Sequence, residues 1–160
     1  MDNWNAFTSY VNVTIKFSGF VQHGPVWIEK KTRSHYGLWF VTQGSILLET
    51  RGDTYTLGAR QVLLMKPGFS YTAQALDGGC SFFYVQMEFQ AEYEESFLEN
   101  HLPVGIYEVE APEDAAVYTK KLGGSPLAVK GAVTLLLADM ADMCRENAPG
   151  VCRISSKESG

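Results

Sequence analysis

Residues 36–75 read YGLWFVTQGSILLETRGDTYTLGARQVLLMKPGFSYTAQA. Apolar and polar side chains alternate in short runs, and Gly44, Gly52-Asp53 and Pro67-Gly68 stand where tight turns are expected. Short strands joined in this way are how a small β-barrel reads in sequence. A closed sheet of that size encloses either its own packed side chains or one small molecule. The residues lining the interior therefore decide what the chain does.

Outward from this stretch the strand pattern continues. VNVTIKF, residues 11–17, alternates and is rich in β-branched side chains, which predicts a strand. Gly24-Pro25 breaks the chain before a second strand, VWIEKKTR. The run from His35 is expected to end at Gly44, with a hairpin of 45–50 and 54–57 around Arg51-Gly52-Asp53. Gln61 to Lys66 and Tyr71 to Leu76 follow as strands, a loop is predicted at Asp77-Gly78-Gly79, and Ser81 to Gln90 is a long strand. About eight strands at this spacing are enough to close a double-sheet jelly roll.

After Gln90 the pattern changes. Glu92 to Asn100 is acidic and reads as a short helix or an irregular segment, and GIYEVE, 105–110, as a last strand. Ala111-Pro112-Glu113-Asp114 opens a helix, with proline in the first turn and two acids at the positive end of its dipole. It is expected to stop at Gly123-Gly124. Ser125-Pro126 then starts a longer helix, to about Asn147, before Pro149-Gly150. Leu127, Val129, Val133, Leu136, Leu137, Met140, Met143 and Cys144 form its apolar stripe, and alanines widen it. A helix this apolar calls for two covering surfaces, the barrel and a second subunit. Val133, Leu136, Leu137 and Met140 are the expected dimer contacts. The domain reading is 1–110 barrel, 111–148 helical dimerisation segment and 149–160 polar tail.

Composition excludes several classes. At 160 residues, 46% hydrophobic and 19% charged, the chain suits one globular domain. Its net charge of −5 and the lack of a basic block beyond Lys30-Lys31-Thr32-Arg33 and Lys120-Lys121 argue against nucleic-acid binding by this chain alone. There is no apolar run of roughly 18 residues to span a membrane, and MDNWNAFTSY is not a secretory leader. Cys80, Cys144 and Cys152 are odd in number and lack metal-type spacing. A cytoplasmic protein with a buried Cys144 thiol is expected.

In this order of elements the chain resembles the N-terminal, effector-binding cupin domain of AraC-type transcription regulators. The matching pieces are Arg33 before HYGLWFVTQG, the hairpin ending TYTL, then VLLMKPGFSYTA, and finally FFYVQMEF. The resemblance implies a cupin-like double-stranded β-helix, a jelly-roll barrel, followed by two C-terminal helices through which two subunits pair. It also implies a small-molecule-sensing role without catalysis, and a helix-turn-helix DNA-binding part that has no counterpart here, the chain ending where it would begin. Arg60 and Gln61 depart from the family's glycine and aspartate, Lys66 from a proline, and Tyr71 from a frequent histidine.

Metal-binding cupins use two histidines, a carboxylate and a later histidine. Those positions fall here at Lys31, Arg33, near Gly37 and at Tyr71, so neither metal nor cofactor is expected. The expected guest is a small organic effector, sugar-like or anionic. Arg33 is the first candidate contact, because a guanidinium offers fixed donors to an anion or a hydroxyl cluster; a rim arginine paired with a surface acid is the plain alternative. Trp39 shares its strand parity if no bulge intervenes. In SFFYVQMEFQ, Phe83, Val85, Met87 and Phe89 read as wall packing, while Phe82, Tyr84, Gln86, Glu88 and Gln90 mix aromatic and polar groups. If the second set turns inward, Tyr84 and Gln86 join the site, with Tyr71 and Trp27 as further contacts; core filling is the alternative for each. Two other readings stay open: an isomerase-type cupin enzyme using His35 as base with Glu29 nearby, and an assembly module whose barrel is packed solid.

Overall fold

The computed structural model describes residues 12–90 and 105–146. Seven strands among them make one continuous antiparallel network: β1 (Asn12–His23), β2 (Ile28–Thr32), β3 (Tyr36–Thr50), β4 (Asp53–Leu57), β5 (Gln61–Met65), β6 (Ser70–Gln90) and β7 (Gly105–Glu108). Two helices follow, α1 (Pro112–Leu122) and α2 (Pro126–Glu146). The segment 92–100, the tail 149–160, Cys152 and the Cys144 side chain lie outside the described residues.

β3 and β6 are the spine. They pair along almost their whole lengths, and each contributes to both faces of the barrel. The C-terminal half of β6 and the first half of β3 form a sheet in the order β1-β6-β3-β5-β7. Their other halves pair with β2 and β4 in a second sheet. One buried cluster joins Trp39, Val41, Leu63 and Phe82 from the first to Ile46, Leu48, Leu57 and Tyr71 from the second. The two sheets therefore face each other as a jelly roll, in agreement with the alternating pattern of the sequence.

Two expected breaks are not breaks. β3 runs through Gly44 and β6 through Asp77–Gly79, so strands predicted as separate pairs are single bent strands. The register shifts at Val41/Gln43 and again at Gly44/Ser45, which is where the sheet turns its corner. Gly44 (φ +73) and Gly79 (φ +109) meet there. A Cβ on Gly44 would collide with the Gly79 carbonyl, and one on Gly79 with the His23 carbonyl. These glycines permit three backbones to cross closely; they do not end the strands. β1 likewise continues past residue 17 to His23, with a bulge between Ile15 and Phe17.

The turns follow their residues. Arg51 (φ 51) and Gly52 (φ 81) both take positive φ, as a two-residue hairpin turn of the primed kind requires. Lys66-Pro67-Gly68-Phe69 closes with Phe69 N–H donating to the Lys66 carbonyl at 3.1 Å, with proline first and a positive-φ glycine second in its centre. The departures at 60 and 61 are accommodated. Arg60 adopts φ 69, and the Gln61 side chain accepts from Gly58 N–H at 2.6 Å.

Both helices lie on the outer face of the first sheet. Ala115, Tyr118 and Leu122 of α1 share a core with Val129, Ala132, Val133, Leu136, Leu137 and Met140 of α2 and with Leu38, Phe40, Val85 and Met87 of the sheet. The Tyr118 hydroxyl donates to Asp139, tying the helices together. This corrects the assignment of the α2 stripe. Val133, Leu136, Leu137 and Met140 are 0–8% exposed within a single chain, so they are barrel-packing residues and not the dimer contacts expected of them. Among its described residues, the large apolar side chains that α2 leaves in solvent are Leu127 and Leu135.

Candidate ligand-binding site

Alternation along β6 decides which side chains line the barrel. Phe83, Val85, Met87 and Phe89 pack in the helix-facing core, whereas Phe82 and Tyr84 pack in the interior one. Even-numbered residues of FFYVQM therefore turn inward. Register then sets them in cross-strand rows: Phe17, Gln86 and Gly37 in one, Gly19, Tyr84 and Trp39 in the next, Val21, Phe82 and Val41 in a third.

The deep rows are aromatic. Trp39 packs against Phe82 at 4.6 Å between ring centroids and edge-on against Tyr71 at 5.5 Å. Trp27 closes on Phe82 and Trp39 from β2's end and stacks on His23 at 4.1 Å. Trp39 and Tyr71 are buried and Trp27 is half-buried. The row nearest the β2–β3 connection differs. Gln86 is half-buried, Gly37 carries no side chain, and the space above Gly37 holds the guanidinium of Arg33.

Arg33 lies in the connection after β2, not on a strand in parity with Trp39 as expected, and its backbone explains its aim. Its N–H donates to the Phe69 carbonyl and its carbonyl accepts from Gly68 N–H, each at 2.8 Å. The Pro67-Gly68 turn thus clamps the residue, and the side chain folds over Gly37 into the barrel. A Cβ at Gly37 would stand 2.6 Å from Nη2 and 3.0 Å from Cζ and Nε, so the flat group rests on bare backbone. Arg33 is 6% exposed, and its Nε is a buried donor without a partner. Among the described residues it forms no salt bridge.

Tyr71 joins this group to the second sheet. Its hydroxyl donates to the Glu29 carboxylate, and the Arg33 guanidinium lies close enough to act on it. Burial, then the Glu29 bond and charge, raise its pKa well above the ordinary value, with Arg33 acting in the opposite sense. Glu29 was weighed in the sequence only as a helper for His35. His35 instead sits at the rim, 3.8 Å from Glu88 and 3.2 Å from the Ser34 hydroxyl, away from Tyr71 and Glu29. Sequence reading also missed Gly37 and Gly19. On Gly19 a Cβ would come within 2.7 Å of the Tyr84 hydroxyl, so that ring lies across bare backbone too. Glycines inside aromatic strands were the available signal, since they mark close approach.

Of the six expected contacts, the structure gathers Arg33, Tyr71 and Gln86 near the β2–β3 end, with Tyr84 and Trp39 one row deeper. Trp27 joins the same cluster from the opposite end, against Trp39 and Phe82 and stacked on His23. Among the described residues no group of three or more metal-ligating side chains converges.

A profile of the AraC-like ligand-binding domain matches residues 15–106. The chain belongs to that family. Among solved structures, ToxT from Vibrio cholerae strain SCE256, described as bound to an unsaturated fatty acid, aligns with a TM-score of 0.58 and 12% identity over 83% of this chain and 56% of ToxT. A second ToxT structure from Vibrio cholerae gives 0.55 and 9% over 86% of this chain and 57% of that one. At such identities the likeness concerns the fold, and the chain spans a little over half of ToxT. No curated protein matches it by sequence. Among the described residues, no helix is long and apolar enough to cross a membrane.

Proposed function

We propose that this AraC-like domain is the effector-sensing, non-catalytic part of a cytoplasmic transcription regulator, with a small molecule held at the Arg33 end of the barrel. The supporting observation is the orphaned Nε of a guanidinium that is 6% exposed. Buried donors are nearly always paired, and each exception asks for an explanation. A ligand acceptor at Nε supplies one. Gln86 and Tyr84 are placed to direct further hydrogen bonds, and Trp39 offers an apolar surface.

A regulator needs its effector to favour one arrangement of the molecule over another. The readout proposed is pairing of two copies through the outward face of α2, where Leu127 and Leu135 are exposed. DNA would be reached through a helix-turn-helix part elsewhere in the regulator.

A thermal-shift screen of small metabolites tests the reading. A true effector at about 100 times its Kd adds about 2.7 kcal/mol of stability. The shift should vanish in Arg33→Ala, and the compound should be recovered chemically unchanged. Turnover of the compound, or an identical shift in Arg33→Ala, would refute the proposal.

A further inference from the structure

The helices cover the outer face of the first sheet, whereas the second sheet turns its outer face to solvent. Tyr71 and Ala73 pack in the interior cluster, so the residues that alternate with them point outward. Register sets Lys30, Thr72 and Glu49 side by side in one outer row, and Thr32 beside Ser70 in the next. A groove of about 450 Å³ opens over these rows, lined also by Lys31, Thr50 and the Arg51-Gly52 turn.

The charge of this groove is opposite to that of the chain. Lys30, Lys31 and Arg51 line it and Glu49 is its single acid, in a chain of net charge −5. Among the described residues none of these four forms a salt bridge. Three cations less one carboxylate leave two positive charges unmatched in one concavity. Lysines on an edge strand also deter stray pairing, but Arg51 lies in a turn. It holds φ 51, where glycine or asparagine would be less strained, and supplies the third cation.

Hydroxyls add neutral donors. Thr32 and Ser70 share a hydrogen bond at 2.7 Å, and whichever donates, the proton of the other remains for a guest. Thr50 donates to the Ser70 carbonyl at 2.7 Å and ties β3 to β6 beside them. Such a lining calls for a compact group with two negative charges and several acceptor oxygens. A carboxylate carries one charge. A phosphate monoester carries up to two, with three terminal oxygens, and lysine and arginine are its usual protein complement. The volume leaves room for a small organic body besides, whereas a nucleic-acid duplex calls for a longer basic stripe.

We infer that this outer groove binds a phosphorylated small molecule, its phosphate held by Lys30, Lys31, Arg51 and the Thr32–Ser70 hydroxyl pair. Arg33 takes no part in the groove's lining, so the site is independent of the effector reading.

Nuclear magnetic resonance titrations of the full chain with inorganic phosphate, phenyl phosphate and phenyl sulfate test it. Phenyl sulfate keeps the shape but only one charge, so phenyl phosphate should bind about tenfold tighter at low salt and about pH 8. Both phosphates should shift the amides of residues 30–32, 49–52 and 70–72. Lys30→Gln/Arg51→Gln, at two exposed positions, should lose about tenfold in affinity or more, and Glu49→Gln should gain severalfold. Arg33→Gln, folded by circular dichroism, should bind as wild type does. Equal affinity for the two esters, or undiminished affinity in the double variant, would overturn the site. Loss of binding in Arg33→Gln would do so too, by moving the anion into the barrel. A DNA duplex displacing phenyl phosphate from the same residues would make the groove a nucleic-acid contact instead.

Discussion

The Tyr71 phenol on β6 donates to the Glu29 carboxylate on β2, so one hydrogen bond spans the junction between an edge strand and the spine of the barrel. That bond requires the phenol to keep its proton. Tyr118 makes the equivalent bond to Asp139 between the helices, and burial followed by that bond raises its pKa as well. An unfolded tyrosine ionises near 10. Above that pH the unfolded chain gives up protons that the folded chain retains, so stability falls. The contribution is complete below about pH 10 and disappears as pH climbs through the folded values. Thermal melts between pH 8 and 11.5 should show a steep alkaline decline in wild type and a shallower one in Tyr71→Phe/Tyr118→Phe. An equal decline in both would exclude these two groups as its source.

Gly37→Ala should displace the guanidinium that rests on residue 37. The methyl would intrude on Nη2, Cζ and Nε at once. Because the obstacle is a side chain and Gly37 has no positive φ, the barrel should survive at a cost of about 1–3 kcal/mol. Effector affinity should fall by at least tenfold, read by calorimetry. Retained affinity would mean that Arg33 is not the ligand's anchor.

Arg33→Met should make the ligand-free domain more stable, by about 1–4 kcal/mol, because a buried guanidinium that forms no salt bridge among the described residues is exchanged for an apolar chain of similar length. Urea denaturation measures the gain, and the effector-induced shift should be absent. Destabilisation would show that the Tyr71 contact outweighs the desolvation of the guanidinium.

Leu137→Glu should unfold the domain, or weaken it by about 3–5 kcal/mol, since it buries an unpaired carboxylate between α2 and the sheet. Leu135→Glu, on the outward face, should leave the fold intact and yield monomers. Circular dichroism and light scattering separate the two outcomes. Dimers persisting in folded Leu135→Glu would place the pairing surface elsewhere.

Much of the fold was legible because strand periodicity is local: each of YGLWFV, VLLM and FFYVQM carries its own inside and outside. Alternation divided FFYVQM into two faces but left open which of them turns inward; the family resemblance, not the pattern, brought Tyr84 and Gln86 into the expected site. What sequence could not show arises from contacts between distant segments. Gly44 and Asp77–Gly79 look like strand ends, yet their role is set by a three-strand crossing that no single segment contains. The stripe on α2 announces that something covers it without saying what. The aim of Arg33 depends on the 66–69 turn, and the partner of Tyr71 lies 42 residues earlier.

The partition between the barrel's contents and its helical coat is a single β-strand thick. Phe82 and Tyr84 pack in the interior cluster, while Phe83, between them, packs against Phe20 at 4.8 Å between ring centroids and comes near Gly123 at the junction of the helices. A stiff strand cannot shift one of these neighbours without carrying the next. A ligand that displaced Tyr84, as the proposed sensing role requires, would meet the helices' seat with no layer in between.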